Sequence, residues 1–132
     1  AEVRDMRLRM RQAKDRTTDE QLDVKQMPGG LIDIEFMAQF AALRHAHDCP
    51  EIVRFTDAIR ILETMESGGL APYDDIKLLT DSYRAYRRYI HADGLQRQRA
   101  MIAHDTRADA RRQVAALWDA WLGADDAAEK DG

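Results

Sequence analysis

The chain has little of what stabilises small secreted proteins and nothing of what anchors membrane proteins. One cysteine, Cys49, stands among 132 residues. It permits no internal disulfide and suits a reducing compartment, so a cytoplasmic location is expected. Three prolines and seven glycines are too few for a collagen-like or low-complexity chain. No long apolar run exists: the longest stretch without a charge is residues 36–43, whereas a membrane helix needs about 20 residues. The opening Ala1-Glu2-Val3-Arg4 has no apolar region of the signal-peptide type. Strand-type alternation of β-branched residues is missing over any useful length, as are a Ser/His/Asp or Cys/His set and a Walker-type phosphate loop. The net charge is only −4, and Asp125, Asp126, Glu129 and Asp131 near the end supply most of it. A nearly neutral body has no global field to attract nucleic acid or anionic lipid.

What is present is helical periodicity. Val3, Met6, Met10 and Ala13 form one stripe, with Arg4, Arg7, Arg9, Arg11 and Lys14 on the other faces. Residues 17–21 read as a loop and residues 22–27 as a short extended segment. Pro28-Gly29-Gly30 is the strongest breaker. Residues 31–46 are apolar on most sides, which places that helix in the middle of a bundle. Ile52, Phe55, Ile59 and Leu62 mark a further helix, stopped at Ser67-Gly68-Gly69. Pro72 opens a long one with the seam Ile76, Leu79, Tyr83, Tyr86 and Ile90, expected to run on through residues 95–101. Asp105 is the expected N-cap of a last helix lined by Val114, Leu117, Trp118 and Trp121. The predicted fold is all-α, a bundle of about five helices with a short extended segment before the Pro-Gly-Gly turn. Residues 1–122 form the bundle, and residues 123–132 an acidic disordered tail. Phe36, Phe40, Ile59, Leu62, Leu79 and Tyr83 are expected near the core centre.

Three constellations have bland readings. His45 and His47 lie two apart, pointing in nearly opposite directions on a helix, so they read as histidines near a helix C-terminus rather than metal ligands. Tyr83-Arg84-Ala85-Tyr86-Arg87-Arg88-Tyr89 interleaves aromatics and cations, but its tyrosines join the seam and its arginines form a solvated face. Asp33 and Glu35 diverge on a regular helix. A fourth is more telling. Lys25, the Gly29-Gly30 turn and a helix start carrying Asp33 are the parts of an anion site, in which glycine amides, a helix N-terminus and a lysine converge. The alternatives are a tight turn into a buried helix and a solvated Lys25 paired with Asp23 or Glu20.

The run Asp23-Val24-Lys25-Gln26-Met27-Pro28-Gly29-Gly30-Leu31-Ile32-Asp33-Ile34-Glu35-Phe36 resembles the helical domain of glutamine synthetase adenylyltransferases. So do Leu43-Arg44-His45-Ala46-His47 and Asp57-Ala58-Ile59-Arg60-Ile61-Leu62-Glu63. In that bifunctional family each half joins a nucleotidyltransferase domain to such a helical domain. One half adds AMP from ATP, with Mg²⁺, to a tyrosine of glutamine synthetase; the other removes it by phosphorolysis. The removing half and PII uridylyltransferases tend to carry arginine where this chain has Ile32. That difference and the His-Ala-His stretch imply the adenylylating C-terminal half, with the acidic tail as its natural end. The family's catalytic aspartates and Gly-Ser motif precede the helical domain and do not occur here. The resemblance therefore implies a domain inactive alone, with no catalytic or metal-binding residue and no cofactor held by this chain alone. It would complete the nucleotide cleft through Lys25, Gly29, Gly30 and Asp33. Expected partners are the nucleotidyltransferase domain of the same polypeptide, glutamine synthetase and PII protein, not nucleic acid or membrane. The rival is a non-catalytic module docking glutamine synthetase or PII; a weaker one is RNA binding through the arginine face.

Overall fold

A computed structural model describes residues 2–18, 21–49, 57–92 and 101–123. Its elements are α1 (Glu2–Lys14), β1 (Gln21–Asp23), α2 (Leu31–His45), α3 (Ala58–Ser67), α4 (Tyr73–Ala92), β2 (Met101–Ala103) and α5 (Ala108–Trp118), which continues into a π-helical turn, Asp119–Gly123. The fold is a bundle of five helices with one small two-stranded sheet, as the periodicity predicts. Ile52, Phe55, residues 95–100 and the tail beyond 123 lie outside the described residues. Among the described residues no helix is long and apolar enough to cross a membrane.

α2 packs against α1, α3, α4 and α5, the central place its all-round apolarity requires. α3 begins where Asp57 accepts a hydrogen bond from the Arg60 amide (3.2 Å). α4 begins after Pro72, whose carbonyl accepts the Ile76 amide. The core centre is Ile34, Met37, Ile61, Leu62, Leu79 and Tyr86, all fully buried. Leu62 and Leu79 stand at the centre as expected. Phe36, Ile59 and Tyr83 do not; they are half-buried, and Phe36 and Tyr83 pack on the edge of the core. Phe40 is buried.

Three further expectations are corrected. In α1 the apolar stripe is not the buried face: Met6 is 49% exposed and Ala13 exposed, while Arg7 is fully buried. Met101, expected at the end of the long helix that α4 (Tyr73–Ala92) represents, belongs to a strand. Asp105 caps nothing; the N-cap position of α5 is Arg107, in the left-handed region at φ 50°.

The extended segment is shorter than predicted. β1 pairs antiparallel with β2, Leu22 opposite Ile102, so its strand partner lies in the same chain. The backbone then turns. Asp23 accepts the Lys25 and Gln26 amides on its side chain (3.0 and 3.3 Å), and its carbonyl takes the Met27 amide. Lys25 therefore sits in a turn rather than on one face of a strand.

Candidate functional site

The Pro28-Gly29-Gly30 turn is the point where α1, α2, α4 and α5 are tied together. Gly29 has φ +73°, the left-handed region open to glycine. The backbone of α5 passes so close that a Cβ on Gly29 would lie 2.6 Å from the Arg111 carbonyl oxygen. From the other side, Tyr86 of α4 donates its buried hydroxyl to the Gly29 carbonyl at 2.8 Å.

Beneath the turn lies a buried network around Asp33. Arg7 donates from Nε to Oδ1 at 2.6 Å. Arg11, one helical turn on, donates from Nη2 to Oδ1 and Oδ2 at 2.9 and 2.7 Å. The Gly29 amide completes the set at Oδ2, 2.8 Å. Gln26 takes the remaining guanidinium donors: Arg7 reaches its side-chain oxygen at 2.8 Å and its carbonyl at 3.1 Å, and Arg11 reaches the same carbonyl at 3.1 Å. Burial lowers the Arg7 pKa, and the adjacent Asp33 charge opposes that shift. The sequence sets these arginines off the apolar stripe of α1; the carboxylate facing them from α2 explains why Arg7 is buried.

This geometry revises the anticipated anion site. The amides expected to face a ligand are donors within the chain. Gly29 bonds Asp33, Gly30 bonds the Met27 carbonyl (2.9 Å), and Leu31 and Ile32 bond the carbonyls of Val24 and Lys25 (3.0 and 3.2 Å). Asp33 is likewise committed to two guanidiniums and an amide, so its donor set does not fit a Mg²⁺ ion. Among the described residues no three His, Cys, Asp or Glu side chains gather as metal ligands. His45 ends α2 and His47 lies beyond it, exposed.

Of the four predicted residues, Lys25 alone lines open space. It stands on a ridge between two concavities. One, of about 600 Å³, runs past Lys14, Asp15, Arg16 and Asp23. The other, of about 410 Å³, lies between α2 and α4 and is lined by Glu35, Tyr83 and Arg87. Glu35, which a regular helix turns away from Asp33, is half-buried there, and burial raises its pKa against the opposing charges of Arg87 and Lys25. Arg84, Arg87 and Arg88 are exposed, as a solvated face requires.

The Tyr86 contact has a pH signature. An unfolded tyrosine ionises at about pH 10, but burial pushes Tyr86 up to about 12. The folded state thus keeps a proton that the unfolded chain loses. The Tyr86 contribution is fully present below pH 10 and is lost as pH rises toward 12. Tyr86→Phe is expected to flatten the alkaline fall in stability, Tyr83 leaving a residual slope, and to lower stability at neutral pH by about 1–2 kcal/mol. Urea melts from pH 8 to 11 measure both; an unchanged alkaline slope contradicts the assignment.

Residues 1–130 match the family model described as GlnD PII-uridylyltransferase. The chain is 47% identical over 96 residues to the bifunctional glutamine synthetase adenylyltransferase/adenylyl-removing enzyme of Pseudomonas putida, covering 73% of this chain and 10% of that protein. It is 39% identical over 122 residues to the protein of the same description from Psychromonas ingrahamii (92% and 13%). For the one from Nitrosococcus oceani the identity is 40% over 121 residues (92% and 12%). The chain therefore spans about a tenth of the length of these curated relatives.

Proposed function

The chain belongs to the family that the GlnD PII-uridylyltransferase model describes, and from that membership we propose that it is the helical domain of a glutamine synthetase adenylyltransferase. In this reading it follows a nucleotidyltransferase domain in the same polypeptide and completes the cleft in which AMP passes from ATP to glutamine synthetase. The names of its relatives support the substrate, and Ile32 with the His45-Ala46-His47 stretch supports the adenylylating half. The carboxylates for a catalytic Mg²⁺ belong to that other domain.

The observation that carries the reading is the position of Lys25. The Asp33 network and the two glycines hold the turn from within, and Lys25 is among the residues lining both concavities. Gly29, Gly30 and Asp33 then serve as the frame, and the lysine ammonium as the point charge on the nucleotide phosphates. Holding a charge in place on a stiff turn is the kind of preorganisation that favours a charge-separated transition state.

The test is Lys25→Ala in the complete enzyme. A fall of about tenfold or more in kcat/KM for ATP, at an unchanged melting temperature, is expected for a lost phosphate contact. Unchanged ATP kinetics overturns the reading. The inward-turned amides of the Pro-Gly-Gly segment favour a second one, a non-catalytic module docking glutamine synthetase or PII protein. That reading expects Lys25→Ala to leave ATP kinetics alone and to weaken capture of one of those proteins.

A further inference from the structure

The concavity between α2 and α4 has the makings of a binding pocket for a flat, amino-bearing ring. Leu31 and Glu35 are one turn apart on α2. Tyr83, Arg87 and Ile90 recur on one face of α4, and the two helices pack against each other. Together with Lys25 they line an open concavity of about 410 Å³, within the size range of small-ligand sites. Leu31 and Ile90 supply apolar wall. The Arg87 guanidinium lies over the Tyr83 ring, 6.0 Å from its centroid, at the outer reach of a cation–π contact, so two planar groups line the same wall. Glu35 is half-buried and lines the concavity beside Lys25 and Arg87. Burial raises the pKa of both Glu35 and Tyr83. The Glu35 carboxylate is an acceptor on the wall of the concavity, and a ligand N–H group supplies it with a donor.

We infer that this pocket holds the adenine base of the nucleotide, with Glu35 accepting a hydrogen bond from the exocyclic amino group and the Arg87–Tyr83 pair forming the wall beside the ring. The inference rests on the reading of Lys25 as the phosphate contact, because Lys25 borders this pocket and so joins base to phosphate. Glu35 is then a specificity residue: it separates an amino-bearing purine from one without.

The experiment compares ATP with purine riboside triphosphate, the same molecule lacking the amino group, by equilibrium binding and by kcat/KM in the complete enzyme. The unmodified enzyme is expected to prefer ATP by about tenfold. Glu35→Ala is expected to abolish that preference by weakening ATP alone. Glu35→Gln, which keeps an acceptor oxygen, is expected to retain most of it. A preference that survives Glu35→Ala, or an unmodified enzyme with none, overturns the inference. Lys25→Ala separates the two readings, since it weakens both triphosphates alike if the lysine touches phosphate. That result combined with an inert Glu35→Ala removes the base pocket and leaves the phosphate contact standing.

Discussion

Asp33→Ala is expected to lower the stability of the fold by about 3–5 kcal/mol, the loss that follows when one partner of a buried ion pair is removed. The side chains of Arg7 and Asp33 are 0% and 1% exposed. Without the carboxylate, the Arg7 charge is left in the interior with Gln26 as its remaining hydrogen-bond acceptor among the described residues, and the Gly29 amide loses its acceptor. Arg11 is 19% exposed and can turn toward water, so the larger part of the loss comes from Arg7. Urea unfolding reads the effect as a lower midpoint at constant slope. The double variant Arg7→Met/Asp33→Ala removes the stranded charge together with its partner. It is expected to be more stable than Asp33→Ala alone, a non-additivity that a mere surface pair does not produce. A loss below about 1 kcal/mol for Asp33→Ala would place the pair among weak surface salt bridges and refute its structural role.

Gly29→Ala is expected to cost about 3 kcal/mol or more. The left-handed backbone at φ +73° contributes about 1–2 kcal/mol for any residue with a Cβ. The Cβ also meets the Arg111 carbonyl at 2.6 Å, a backbone atom that cannot swing aside, so α5 has to move from the turn. Gly30→Ala acts through sterics alone. Its Cβ would lie 2.5 Å from the Val24 carbonyl and 2.9 Å from that of Met27, the acceptors of the Leu31 and Gly30 amides. Opening the turn breaks those bonds, each worth about 1 kcal/mol. Gly69, with the same φ of +73° but nothing near its Cβ, is the control: alanine there is expected to cost only the backbone term. Equal losses at Gly29 and Gly69, by thermal melts of the two variants, would show that close packing against α5 contributes nothing.

Both predictions turn on the Pro28-to-Asp33 motif, which was conspicuous in the sequence, yet its working could not be read there. The motif announced a turn and a helix start, and its glycines suggested amides open to an anion. The structure closes those amides on Asp33, Met27, Val24 and Lys25. The acceptor for Gly29 lies four residues ahead, close enough to have been considered. Arg7 and Arg11 lie 26 and 22 residues from Asp33, and on their own helix they only lie off the apolar stripe. The Glu35 pocket was hidden in the same way. Half of it sits in the run Tyr83-Arg84-Ala85-Tyr86-Arg87-Arg88-Tyr89, whose arginines are indeed exposed, and only the packing of α2 on α4 brings Glu35 to Arg87.

The sequence by itself determined the fold class, the order of the five helices, the centrality of α2 and the family. Each of these is written in local signals: a 3.6-residue apolar period, glycine and proline breakers, and a long ungapped motif. The tertiary structure alone decided which face of α1 is buried, that three-residue strands at 21–23 and 101–103 pair, and that Asp33 holds the turn while Lys25 faces out. Those outcomes depend on pairing between distant segments. Three residues are too short to show a strand period, and an arginine goes inside only when a carboxylate from another helix offsets its desolvation, a balance that no window along one helix contains.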